Sequence, residues 1–290
     1  MRTVAGFLVV VSYIVGFTSC QKEIDGGLTN NPQSDSVISK IIILDTTFSS
    51  GLDTFHVGNF IYDANGRLSK ALGTAYNSGV SGPGRIFSDE VITYHYTGNQ
   101  TLPFKIVNNY TEYSPASVTD DTSYLTYTNG YISTDSFTSS IGYYRTNVFN
   151  KLSNSRYRMY TRIDNGIGGQ SIDTSYINVD IQNGNLMKET DSVWLPGGTW
   201  VVLSMTMTYD TKINPGKPFS LPYPAPYYQY IPGNVSIHAF SLQDENNVTK
   251  QTDQFGNVQL SLTYEYNNAG LPKIAREVSG LKYFYYYKKP

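Results

Sequence analysis

The chain has 290 residues, a formal net charge of −2, 40% apolar and only 15% charged side chains, a balance that excludes the basic surface of a nucleic-acid binder. Three His and a single Cys leave little material for a metal site, and no cofactor is expected. Tyr is the outlier, with 26 residues against 13 Phe and 2 Trp, and together with 25 Gly and 13 Pro it points to pleated strands joined by many turns, not to helices or a disordered chain.

The first element is a leader. Met1-Arg2-Thr3 is basic, Val4 to Phe17 is apolar, and Thr18-Ser19 are small. This is the layout of a secretory signal, with an apolar run shorter than the roughly 20 residues a spanning helix needs. Phe17-Thr18-Ser19-Cys20 resembles the lipobox of bacterial lipoproteins, with Phe in place of the usual Leu. The resemblance implies cleavage before Cys20 and a diacylglycerol held on its thiol as a stable thioether; two or more acyl chains anchor a protein where one does not. Cys20 is the only Cys, so no disulfide can form within one chain. Lys22-Glu23 and Asp25 resemble the acidic signal that sends lipoproteins of Bacteroidota to the outer face of the outer membrane. The expected organisation is a signal peptide over 1–19, a lipidated Cys with a Gly/Asn/Ser-rich flexible tether over 20–37, and a single antiparallel β domain over 38–290.

Within that domain the apolar residues alternate with period two. Val201, Leu203, Met205, Met207 and Tyr209 share one face, with Val202, Ser204, Thr206, Thr208 and Asp210 on the other. Val258, Leu260, Leu262, Tyr264 and Tyr266 alternate in the same way with Gln259, Ser261, Thr263 and Glu265. Each is the pattern of a half-buried antiparallel strand. Asn65-Gly66, Asn129-Gly130 and Asn183-Gly184 read as type I′ bends between such strands, and Asn267-Asn268-Ala269-Gly270 as a longer version. Leu102-Pro103-Phe104-Lys105-Ile106 is echoed by Leu271-Pro272-Lys273-Ile274. The fold class expected is all-β, an antiparallel meander of hairpins forming a curved sheet or partly open barrel.

The recurring unit, a Tyr followed by two or three polar residues, Asn-Gly or Gly, and then Leu or Ile, resembles Bacteroidota lipoproteins of unknown function with a porin-like or YD-repeat-like hairpin sheet. Tyr209-Asp210 running into Asn214-Pro215 is similar to another segment of that family. The resemblance implies a curved sheet or partly closed barrel and no catalytic residues. A membrane-spanning barrel needs an uninterrupted lipid-facing apolar band; the second faces here are Thr, Ser, Gln and Asp, which favours a β domain standing in water.

The segment 214–233 crowds Pro215, Pro218, Pro222, Pro224, Pro226 and Pro232 with Tyr223, Tyr227, Tyr228 and Tyr230, and reads as a long loop of polyproline II character. Tyr pairs a flat apolar face with a hydroxyl, which suits sugars and protein interfaces, and these four tyrosines are the candidate ligand-binding residues. Motifs for catalysis are lacking. There is no Gly-x-Ser-x-Gly elbow, Gly166-Ile167-Gly168-Gly169 lacks the Lys-Ser/Thr of a phosphate loop, and His56, His95 and His238 have no metal-ligand spacing. His95 and His238 fall on polar faces; the pairs Asp120-Asp121 and Asp244-Glu245 are expected as turn or loop acids. The function expected is a surface-exposed, lipid-anchored, non-catalytic envelope protein. Its partners would be the outer membrane, through the acyl chains on Cys20, and a glycan or envelope protein; the alternative is an architectural subunit of an outer-membrane assembly.

Overall fold

The computed structural model describes residues 36–46, 53–77, 85–113, 115–164, 170–195, 199–216 and 244–289. Among them are sixteen strands and no helix: β1 (Val37–Asp45), β2 (Asp53–Tyr62), β3 (Leu68–Asn77), β4 (Arg85–His95), β5 (Lys105–Tyr113), β6 (Ala116–Thr128), β7 (Tyr131–Ser139), β8 (Tyr144–Ser153), β9 (Arg156–Asp164), β10 (Gln170–Gln182), β11 (Asn185–Leu195), β12 (Thr199–Ile213), β13 (Asn246–Asp253), β14 (Val258–Tyr266), β15 (Pro272–Glu277) and β16 (Leu281–Lys288). Each strand pairs with its neighbours in sequence, and β16 pairs antiparallel with β1, so the expected antiparallel meander closes completely into a barrel. Closure removes both free edges, where unpaired N–H and C=O groups would otherwise template aggregation.

The turns are of two kinds, where the Asn-Gly pairs alone suggest one. Asn129-Gly130 and Asn183-Gly184 have φ of 50°, 79°, 52° and 79°, as a type I′ turn requires. At Asn65-Gly66 only Gly66 has positive φ, at 75°, which corrects the type I′ expectation there. That hairpin instead turns through Asp63, whose Oδ1 accepts the N–H of Asn65 and of Arg67, both at 2.9 Å, while Gly66 N–H donates to the Asp63 carbonyl. Asp253 and Asn267 repeat the device, each Oδ1 taking the N–H groups two and four residues on, with Gly256 and Gly270 in the left-handed position.

One face of every strand is buried, and in a closed sheet of sixteen strands only the inside can bury them all. Ile38, Ile41, Ile43, Phe60, Ile92, Ile106, Leu125, Ile132, Phe149, Met159, Ile177, Met205, Met207, Val248, Leu262, Tyr283 and Tyr285 form one cluster there. The outward face carries Lys70, Asn109, Asp120, Arg156, Arg162, Lys188, Thr206, Thr208, Lys250, Thr263 and Glu265, all exposed. The charges among these outward positions are what a lipid-facing apolar band excludes, while the inner face is apolar towards one rim and polar towards the other. Asp120 and Asp121 lie in β6, not in a turn as expected, and alternation sends Asp120 outward and Asp121 inward. Asp244 does lie outside the strands; buried, it accepts the Leu186 N–H at 2.6 Å and the Tyr209 hydroxyl at 2.9 Å, fastening its segment to the β10–β11 turn.

Candidate functional site

Cys20 and the tyrosines Tyr223, Tyr227, Tyr228 and Tyr230 lie outside the described residues, as does His238. The tyrosines that are described show what much of the surplus does. Six hydroxyls donate to backbone carbonyls: Tyr62 to Ile38 (2.7 Å), Tyr96 to Leu68 (2.8 Å), Tyr127 to Pro103 (2.6 Å), Tyr209 to Leu186 (2.6 Å), Tyr264 to Val248 (2.8 Å) and Tyr287 to Pro272 (2.6 Å). The two Leu-Pro echoes of the sequence are therefore the same joint made twice, a proline carbonyl receiving a tyrosine from a nearby strand. The ladder slips next to a tyrosine at Ile61/Tyr62, Ala75/Tyr76, Thr126/Tyr127, Thr208/Tyr209 and Glu265/Tyr266; such bulges re-aim a side chain at a strand end. Burial raises the Tyr62, Tyr94, Tyr127, Tyr264, Tyr283 and Tyr287 hydroxyls far above their usual range, and Tyr96 to about 12, so these groups stay neutral donors.

Nearer the opposite rim the inward face turns polar. His56, Glu90, Asn108, Asp121, Asp135, Asn147, Ser175, Glu189 and Asp191 are all buried. Asn108 and Asp121 face one another across β5 and β6, and Arg145 reaches within 3.9 Å of Asp135 while lying over the Phe137 ring. Thr161 donates to Asn147 Oδ1 at 2.9 Å. Burial lowers the His56 imidazole to about 4, so it is neutral at physiological pH, and raises the Asp191 carboxyl to about 6, with a hydrogen bond from Glu189 working against the rise. Glu189 and Asp191 are two apart on one strand, side by side on the inner wall. They can share a proton, but they do not face each other across a gap in the way glycoside cleavage demands. Among the described residues no three His, Cys, Asp or Glu side chains converge on a cation site.

Of these inward acids only Asp121 is among the residues singled out by motif. The signal for them was parity: Glu189 and Asp191 sit on the face of β11 opposite that of Lys188, and His56 shares the face of Phe60 and Tyr62.

In its strand path the chain is similar to a porin-like protein from Bacteroides uniformis, known from a crystal structure. The two are 17% identical with a TM-score of 0.52, over 87% of this chain and 98% of that one. A porin-like protein from Bacteroides vulgatus aligns at 10% identity and a TM-score of 0.42, over 88% of this chain and 100% of its own. The likeness to the first is one of fold. No protein-family model and no curated protein matches the chain.

Proposed function

We propose that this chain is a non-catalytic, lipid-anchored binding protein of the bacterial envelope. Acyl chains on Cys20 hold it to the outer membrane, the residues between Cys20 and β1 serve as a tether, and the barrel stands in water on the exterior side, offering a glycan or partner protein its outer face and the Pro/Tyr-rich segment 214–233. The observation that carries the reading is the charge on the barrel's outward wall. Arg or Lys on a lipid-facing wall costs about 2–4 kcal/mol at the bilayer midplane, and Arg158, Lys188 and Lys250 all lie within strands on the outward wall. A sheet of this kind needs another means of staying at a membrane, and the lipobox-like Cys20 supplies one.

The test follows the thiol and the barrel separately. Metabolic labelling with a palmitate analogue marks the wild-type chain and leaves Cys20→Ser unmarked, and protease added to intact cells degrades the barrel. Equal labelling of both chains, or a barrel protected until cells are lysed, overturns the anchor and the exterior placement respectively. For binding, a panel of polysaccharides is presented to the full chain in detergent. Retention of at least one, weakened by Tyr227→Ala with Tyr228→Ala, is the expected result; no retention across the panel overturns the binding role.

A further inference from the structure

The outer wall has one strongly one-sided stretch. Arg156, Arg158, Tyr160 and Arg162 alternate with the buried Tyr157 and Met159 and so stand in one outward row along β9. A strand rises about 3.3 Å per residue, which spreads the three guanidinium groups over ~20 Å. The outward positions in register with the row include the uncharged Thr146, Val148 and Asn150 on β8 and Tyr176 and Asn178 on β10, and the next outward residue on β10 is the exposed Asp180. Arg156 lies 5.0 Å from the Tyr176 ring centre and Arg158 4.6 Å from that of Tyr160, and Tyr176 is 5.7 Å from the ring of the half-exposed Trp200. Among the described residues none of the three arginines has a carboxylate within ion-pair distance, and Arg158 Nε is buried with no acceptor. At the far end of the row, by the rim, Arg162 borders a shallow open depression of about 200 Å³ shared with Tyr144, Arg145 and Thr146, smaller than the ~300–1,000 Å³ of a whole-ligand site.

We infer that the β9 row is a binding track for a single strand of an acidic polysaccharide, its carboxylate or sulfate groups paired with Arg156, Arg158 and Arg162 and its sugar faces resting on Tyr160 and Tyr176. Guanidinium forks match carboxylate and sulfate oxygens bidentately, and aromatic faces beside them accept the apolar side of a pyranose. The track is one strand wide on a chain of net charge −2. That geometry favours one linear polymer over a duplex or a bilayer, either of which would also press outward carboxylates such as Asp120 and Glu265 against its own charge. The inference rests on the binding role proposed above and names the ligand class and the residues.

The full chain in detergent is passed over immobilised dextran sulfate, polygalacturonate and uncharged dextran, with duplex DNA and phosphatidylglycerol vesicles as competitors. Expected are retention on the two acidic polymers and not on dextran, weakening with salt, and a loss of at least tenfold in the triple variant Arg156→Gln, Arg158→Gln, Arg162→Gln, partly restored when the three are Lys. All three side chains point outward; should the triple variant not fold, the exposed Arg156→Gln alone is expected to lose about threefold. Unchanged binding by the Gln variants overturns the inference, as does equal competition by DNA or vesicles. Retention on uncharged dextran that ignores the arginines and falls in Tyr227→Ala with Tyr228→Ala overturns the track and leaves the binding role standing.

Discussion

Burial keeps the His56 imidazole neutral down to about pH 4 and the Asp191 carboxyl protonated up to about pH 6, so the two residues answer acid in opposite senses. The unfolded chain takes a proton at His56 near 6.5. The stabilisation from the neutral imidazole is therefore complete above that pH and is lost as pH falls towards the folded value. Asp191 behaves in reverse. Its unfolded value is 3.8, so the stabilisation from its retained proton is complete below that and is lost as pH rises through about 6. Each amounts to about 3 kcal/mol, and between roughly pH 4 and 6 they offset one another. Asp191→Asn should therefore lose stability on acidification more steeply than wild type across that window, and His56→Gln less steeply, read as urea midpoints at pH 4.5, 5.5 and 7. Two variants running parallel to wild type would contradict both assignments. At the tyrosine joints, Tyr127→Phe and Tyr287→Phe each remove a hydroxyl from a proline carbonyl and should cost about 1–2 kcal/mol with an unchanged denaturant slope. That Tyr was abundant was plain from composition; that its hydroxyls fasten one hairpin to the next was not, because the acceptors are backbone atoms 15 to 28 residues away.

The hairpins show how far local chemistry can be read from local sequence. Among the described residues each Asn-Gly pair marks a bend, yet the two turn types divide on the residue three before Gly. Asp63, Asp253 and Asn267 precede Gly66, Gly256 and Gly270 and cradle the loop with a side-chain oxygen, whereas Tyr127 and Ile181 precede Gly130 and Gly184 and have none to offer. Gly66 and Gly184 provide a controlled comparison, since their φ values are 75° and 79°. A Cβ on Gly66 meets nothing within 4 Å, whereas on Gly184 it would lie 2.3 Å from Glu245 Cγ. Gly66→Ala should thus cost about 1 kcal/mol for the backbone alone. Gly184→Ala should cost roughly a further 1–3 kcal/mol, because the Glu245 side chain must move while its N–H holds the Gly184 carbonyl. Equal thermal shifts for the two variants would show that Glu245 yields freely. Strand existence and facing were likewise legible from period two at Val201–Tyr209 and Val258–Tyr266, although Leu203, on the inward parity, is 48% exposed near the rim.

Closure of the barrel rests on contacts that no local pattern encodes: where β1 meets β16, the Ser39 hydroxyl donates to the Tyr286 carbonyl, 247 residues away. A curved sheet and a closed barrel share every hairpin and differ only in that last ladder, which is why the strand pattern predicted the meander and left its ends undecided. Ladders between distant strands are slow to form, since the loop entropy is spent before the contacts return it. Removing residues 281–290 should leave β1 and β15 as bare edges. The outcome expected is a product eluting in the void volume on size exclusion, whereas removing only Lys289 and Pro290 should leave a monomer with a wild-type melting temperature. An even number of antiparallel strands has one more consequence. The path that begins at Val37 must come back beside itself, and it does so at Lys288, so head and tail of the molecule emerge from the same mouth. Every even-numbered strand ends at that mouth, β12 at Ile213 included, so the chain departs towards the candidate tyrosines and returns at Asn246 on the side where Val37 and Lys288 meet.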